Sequence, residues 1–302
     1  MRVSIIAPER AMLPLAPLVL AYQDKGYSVE PITAENVPDL DQLQQLAANS
    51  DAMLLIGSAR RSPQSVLSGP MLTTHGGRSV PVGWLPLVSE EGLARFAANA
   101  AKIHRRQEGH QPIAVLSQWQ GQYLCLAQRI ETLLSQQNTT YRWSSDLLYR
   151  EDMVKGIRSG LAAAIYVGHG RPIGWVGYRG TRAHHFKGLD GEPTGALFSL
   201  CCRTASRRRT GLSFAEELPL LGIAGATLGS VNDTLHKNNT RWAVGICAAL
   251  EAGVSNLAEL ILKAFPTEIS ATKDYRIMGD PLIPLVGADG SIEAANAIPI
   301  YP

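Results

Sequence analysis

Apolar and polar positions along this chain fall into short unbroken apolar runs separated by stretches of helical period. RVSIIAP at the N-terminus, DAMLLIG at 51–57 and SVPVGWLPL at 79–87 are near-continuous apolar runs of strand length. Such runs belong to strands covered on both faces. Between them lie LPLAPLVLAYQDKG, which stops at Gly26, and VPDLDQLQQLAANS, each with apolar residues on a helical period, while YSVEPI reads as a further strand. SEEGLARFAANAAKIHRRQ predicts a long helix with Ser89 as its N-cap and acidic residues in its first turn. This alternation predicts a mostly parallel sheet with helices over it.

After the polar stretch HRRQEGHQP the plan recurs. IAVLSQ, LAAAIYVGHG, ALFSLCC and GATLGSV read as strands, and QYLCLAQRIETLLSQQ, EDMVKGIRSG and SFAEELPLLG as helices. RWAVGICAALEAGVSNLAELILKAF is a long helical region broken at Gly253 and Pro266, and YRIMGDPLIPL closes the series as a last strand or turn. The polar stretch predicts a division into a Rossmann-like α/β subdomain over 1–108 and a second α/β subdomain over 109–302. No repeat of fixed period and no heptad run is present.

Composition narrows the function classes. The chain has 302 residues, 45% of them hydrophobic, enough for one large core or two moderate ones. A formal net charge of +2 gives no electrostatic footprint for nucleic acid or a membrane surface. No apolar run approaches the ~18–20 residues of a membrane span. The N-terminal MRVSIIAPER is broken too early, by Pro8 and Glu9, for a signal peptide. Four cysteines, Cys125, Cys201, Cys202 and Cys247, lack a disulfide-framework spacing, so a reducing cytoplasm is the expected location. GSARRSPQSVLSG has no phosphate-loop lysine and no G-x-G-x-x-G follows the first strand. No nucleotide cofactor is expected, and adjacent His-His and Cys-Cys pairs lack the ligand spacing of a zinc site.

Candidate chemistry concentrates at two strand ends. AAAIYVGHG ends a buried run at His169, and GALFSLCCRT ends the next at Cys201 and Cys202. Active sites of open α/β sheets form at the carboxyl ends of the strands. An imidazole there deprotonates a neighbouring thiol and protonates a leaving amine. Gly170, with no side chain, leaves its N–H open to a substrate, and with the cysteine amide it forms an oxyanion-binding pair.

These residues carry a resemblance. YVGHG, followed by a strand ending in Cys and then Arg-Thr, is similar to the catalytic pattern of caspase-like cysteine peptidases, with the closest likeness to gingipain-type and CHAT-type (separase-like) domains. SFAEELPLLGIAGATLGSV resembles the helix and strand that follow the nucleophile, SVNDTLHKNNTRW the loop walling the substrate pocket, and MGDPLIPL the Gly-Asp-Pro segment near the end of such domains. The resemblance covers about residues 110–285. It implies a caspase-like three-layer α/β sandwich, preceded by the Rossmann-like subdomain, and a cysteine endopeptidase working through a thioester acyl-enzyme without metal or cofactor. The nucleophile position falls on Cys202. Cys201 stands where alanine is usual and is the alternative nucleophile.

The resemblance further implies protein or peptide substrates, with a regulatory partner protein and neither nucleic acid nor membrane as partners. Asp233 lies where CHAT-type domains carry a pocket acid, which implies cleavage after Arg or Lys, and Trp242 is a candidate to stack on the substrate. A carboxylate that merely holds a turn and an aromatic that merely packs are the bland readings of these two. Asp146, Glu151 and Asp152 are candidates to orient His169. RTASRRRTG, directly after the nucleophile, reads as a solvated loop, a site of self-cleavage or a basic contact patch. A catalytically inactive caspase-like scaffold is the rival for the whole chain.

Overall fold

The computed structural model of the chain describes residues 1–106, 112–264 and 273–285. The expected boundary at 108/109 and the break at Pro266 lie outside the described residues. The elements follow the apolar runs closely. The first stretch carries β1 (Arg2–Ala7), α1 (Glu9–Asp24), β2 (Ser28–Thr33), α2 (Leu40–Ala47), β3 (Ala52–Ser58), the single turn α3 (Pro63–Val66), β4 (Met71–Thr73), β5 (Ser79–Leu87) and α4 (Glu90–His104). Then come β6 (Ile113–Ser117), α5 (Gly121–Leu134), β7 (Thr140–Ser144), α6 (Arg150–Ile157), β8 (Ala163–Val167) and the small strands β9 (Gly170–Arg171) and β10 (Gly174–Trp175). After them lie the tight turn α7 (Gly177–Gly180), β11 (Thr181–Arg182), a 3-10 turn over Ala183–Phe186 and β12 (Thr194–Leu200). The described chain closes with α8 (Phe214–Leu220), β13 (Ala224–Ser230), α9 (His236–Glu251), α10 (Leu257–Ala264) and β14 (Tyr275–Gly279).

Capping follows local chemistry. Ser89 caps α4 by accepting the Gly92 N–H at 3.1 Å, and Ser213 with Glu216 forms a reciprocal capping box on α8. α1 begins at Glu9, earlier than its apolar period suggests, and holds Pro14 and Pro17 inside it. The carbonyls that lose a donor there belong to Arg10 and Leu13, both exposed residues. Strand β7, TYRWS, has no unbroken apolar run because it is the edge strand and buries only part of itself.

The main sheet has the order β2-β1-β3-β5-β14-β13-β12-β8-β6-β7, with β4 pairing antiparallel to β5 off this path. Every pair on the path is parallel except β13–β14. β14 therefore joins two parallel blocks that run in opposite senses. Side chains alternate between the two faces and fill three cores, one of them formed by Ile6, Met53, Leu55, Val82 and Trp84 with Leu43 and Ala47 of α2. Ala163, Ile165 and Val167 of β8 enter one core, with α1, α4, α5, α9 and α10, while Ala164 and Tyr166 enter another, with α6 and α8. The result is the three-layer α/β arrangement with a mostly parallel sheet that the sequence predicts.

One buried polar cluster ties the blocks together. Asp280, just past β14, accepts the Tyr22 hydroxyl at 2.5 Å and the Leu282 N–H at 2.7 Å, and its second oxygen lies 2.7 Å from His104 Nε2. All three side chains are fully buried. Burial pushes the Tyr22 phenol well up, with the Asp280 carboxylate adding to it, so the hydroxyl remains a donor. Replacing Asp280 by Ala leaves both partners unpaired in the core. Equilibrium urea unfolding of Asp280→Ala should show a loss of about 3 kcal/mol or more, and Tyr22→Phe about 1–3 kcal/mol. A variant as stable as the parent would remove this cluster from the joint.

Candidate active site

β8 and β12 are neighbours in parallel register, and their last paired positions are Val167 and Leu200. His169 and Cys202 each stand two residues farther along, so the histidine and the cysteine leave the sheet at the same level on adjacent strands. The chain at His169 is held from several sides. Its N–H donates to Gln118 Oε1 at 2.8 Å, and its carbonyl accepts the Val176 N–H and the Tyr166 hydroxyl, both at 3.0 Å. Its ring stands edge-on to Tyr123 of α5, with centroids 5.4 Å apart, while the residue itself is exposed. Asp146, Glu151 and Asp152 make no hydrogen bond to His169 among the described residues. Gln118 and Tyr123 hold it instead.

The two adjacent cysteines occupy different environments, because successive side chains at a strand end point to opposite sides. Cys201 is fully buried and packs in the core beneath α8, and burial pushes its thiol well up. Cys202 is half-buried. The Thr234 N–H donates to Cys202 Sγ at 3.3 Å, and the Thr234 hydroxyl lies 3.7 Å from the sulfur. Among the described residues the Cys202 N–H donates to no protein group. Gly170 lies directly against this segment: a Cβ there would run into the Cys202 carbonyl and Cys201 Sγ. Only glycine allows that approach.

The loop after β13 supplies Thr234 and, beside it, Asp233. Asp233 is 63% exposed and pairs with Arg203, so it is a rim carboxylate and not a buried pocket acid. Trp242 is fully buried on α9, packed in the core against Tyr275, which corrects the expectation that it stacks on substrate. Its position in the first half of an amphipathic helix explains this: the side chain falls on the core face. The arginine-rich loop is anchored. Arg207, 10% exposed, donates to the fully buried Glu216 and to the Ala59 carbonyl, and Glu216 also accepts from Trp84 and Ser213. Of the four arginines of that run, Arg208 and Arg209 are exposed. Beyond the carboxyl end of β7, a pocket of about 240 Å³ is lined by Asp146, Tyr149, Glu151, Tyr178 and Arg179. Glu151 pairs with Arg150, and Arg179 lies over the Tyr149 ring, whereas Asp146 has no ion-pair partner among the described residues.

Three neighbours of the site carried little signal in the sequence. Gln118 ends an apolar run, which hinted at a strand-end position; Tyr123 read as helix core, and Thr234 as one residue of a polar loop.

A family model for peptidase family C25 matches residues 80–286, so the match begins in β5 and crosses the expected subdomain boundary. No curated protein matches the chain by sequence. Among solved structures, gingipain R (RgpB), an Arg-specific cysteine proteinase, superposes with a TM-score of 0.78 at 15% identity, covering 95% of this chain and 78% of that one. The complex of Porphyromonas gingivalis RgpB pro- and mature domains gives 0.74 at 16% identity, with coverage of 95% and 80%. Saccharomyces cerevisiae separase in its complex with securin gives 0.52 at 14% identity, covering 76% of this chain and 16% of that one. At these identities the likeness is one of fold.

The thiols should sort by environment under alkylation. At about pH 8, iodoacetamide should label the exposed Cys125 and the half-buried Cys202 within minutes. Cys201, and Cys247 with its thiol pushed up to about 12 by burial, should label only on unfolding. Peptide mass mapping reads this directly, and native labelling of Cys201 ahead of Cys202 would reverse the assignment of the accessible thiol.

Proposed function

The chain belongs to peptidase family C25, cysteine-type endopeptidases, and from that membership we propose that Cys202 and His169 carry its chemistry. The observation behind this reading is their common level on adjacent strands, with the Thr234 N–H already on the Cys202 sulfur. His169 takes the thiol proton as Cys202 Sγ attacks the scissile carbonyl carbon. The amides of Gly170 and Cys202 hold the oxyanion. Collapse of the tetrahedral intermediate breaks the C–N bond, and His169 delivers the proton to the leaving amine. Water, deprotonated by the same imidazole, then hydrolyses the thioester and restores the thiol. The buried Cys201, with its raised thiol, is the poorer nucleophile. Intact placement of both groups favours an active enzyme over an inactive scaffold.

A polypeptide substrate fits the rim. Leu235, Ile173, Trp119 and Tyr149 are all large, apolar and exposed, at 59%, 44%, 59% and 65%. Leu235, Trp119 and Tyr149 lie on the loops that leave β13, β6 and β7, and Ile173 lies in the β9–β10 turn that follows β8; with β12 these strands are successive in the sheet. At about 4.8 Å between strands they line about 19 Å across the site, the length of about six extended residues. Preference for Arg or Lys before the cut bond rests on the rim carboxylates. Asp233 is occupied by Arg203, so the unpaired Asp146 is the better receptor for a guanidinium. Similar folds are seen with a pro-domain and with securin, and a regulatory protein covering these strand ends is part of the proposal. Four free thiols suit a reducing compartment such as the cytoplasm.

Cys202→Ala and His169→Ala should each lower kcat/KM on a peptide substrate by about a thousandfold or more, with Cys201→Ala keeping most of it. Full activity in Cys202→Ala would end the reading. For basic against neutral substrates, Asp146→Asn should narrow the preference about tenfold or more. Asp233→Asn should change it less than about fivefold, because an exposed ion pair is worth about 0–1 kcal/mol. The opposite ranking, from steady-state kinetics on matched peptides, would move the specificity pocket to the β13 side.

A further inference from the structure

We propose that Asn239, braced by Tyr275, is a positioning residue that holds the Thr234 N–H on the Cys202 sulfur. This rests on the reading of Cys202 as nucleophile. Asn239 lies in the first turn of α9 and is 5% exposed. Its Nδ2 donates to the Leu200 carbonyl at 3.1 Å and to Thr234 Oγ1 at 3.0 Å, and its Oδ1 accepts the Tyr275 hydroxyl at 2.7 Å. Both amide hydrogens and one oxygen lone pair are thus used. Leu200 stands two residues before Cys202, and Thr234 carries the N–H that reaches its sulfur at 3.3 Å. The Asn239 amide therefore spans the two pieces of chain whose separation sets the N–H···S contact.

Tyr275 is the anchor. It is fully buried on β14, and burial holds its phenol well above the ordinary range, so it stays a neutral donor that fixes which way the Asn239 amide faces. The Thr234 N–H, at 3.3 Å, favours the thiolate, while the Thr234 carbonyl, at 3.6 Å, accepts from the thiol; the N–H is the shorter contact. The network also limits how far the thiol swings from the attack position. A displacement of about 1 Å at a reacting atom costs roughly a hundredfold in rate. No other buried side chain among the described residues bridges the β12 end to the 231–235 loop through hydrogen bonds to both.

The thiol's titration is read against every charged or titratable neighbour. These are His169 after β8, Tyr123 on α5, His236 at the start of α9, Cys201 beside it, Tyr275 on β14 and the Arg203–Asp233 pair. Asn239→Ala leaves all of them in place and removes a hydrogen bond from one, the Tyr275 hydroxyl. The test is the pH profile of iodoacetamide alkylation at Cys202, followed by mass spectrometry on the full chain, beside steady-state kinetics. In Asn239→Ala the alkylation midpoint should rise by about half a unit or more, and kcat should fall roughly tenfold to a hundredfold with KM within about twofold. Tyr275→Phe, which keeps the ring, should shift both in the same direction by a smaller amount. Cys125 labelling and the far-UV spectrum should not change. Should Asn239→Ala unfold, Tyr275→Phe decides alone. A Cys202 profile superimposable on the parent in the folded variant overturns the proposal. Retained peptidase activity in Cys202→Ala overturns the nucleophile assignment instead, and the alkylation profile still reports on the positioning.

Discussion

The double pairing of β14 is the constraint on which the rest of the molecule depends. This strand is parallel to β5 and antiparallel to β13, so it accepts two blocks of opposite polarity into one continuous sheet. Close backbone approach makes it possible. A Cβ on Gly83 would collide with the Gly279 carbonyl, and one on Gly279, which has φ +97°, with the Gly225 carbonyl. Glycine at these positions leaves the ladder room and meets the backbone angle without penalty. Asp280 then continues from the strand into the core between Tyr22 and His104. The two blocks are held by a ladder and by a buried polar cluster in which a carboxylate serves three donors or partners.

The same strand reaches the candidate active site at its other end. Tyr275 opens β14 and meets Asn239, whereas Asp280 follows its close. The geometry around the thiol is thereby referred to the joint between the blocks and not to a local loop alone. β8 and β12 bring the imidazole and the thiol out at one level. The 231–235 loop and the first turn of α9 bring donors to the sulfur. β8 and β12 are buried along their whole length, so little freedom remains in the strands that carry the imidazole and the thiol.

Charge in this region is arranged by burial. Arg207 and Glu216 form a buried pair whose remaining valences go to Ala59, Trp84 and Ser213, and a pair so satisfied pins the loop that follows Cys202. Self-cleavage after Arg207 is opposed by this anchorage. Arg203 and Asp233, by contrast, face water at the rim, where their attraction is screened and weak. Composition alone does not separate these two ion pairs, whose arginines lie only four residues apart in the chain.

The amino-acid sequence by itself determined the layers, most strand and helix positions, the glycine beside His169 and the two strand ends where chemistry gathers. It did so because a strand covered on both faces needs a continuous apolar run, and a strand end needs only to follow it. Only the tertiary structure decided which cysteine is accessible, because adjacent thiols differ by the direction of a side chain. It alone showed that Trp242 packs inward, that Asp233 is exposed and paired, that Gln118 and Tyr123 lie against His169, and that Thr234 lies against Cys202. These contacts join residues from 30 to 51 positions apart, as Asp233 is to Arg203 and Gln118 to His169. The reversed polarity across β14 was equally hidden, since a strand of five buried residues reads the same in either direction until its neighbours are in place.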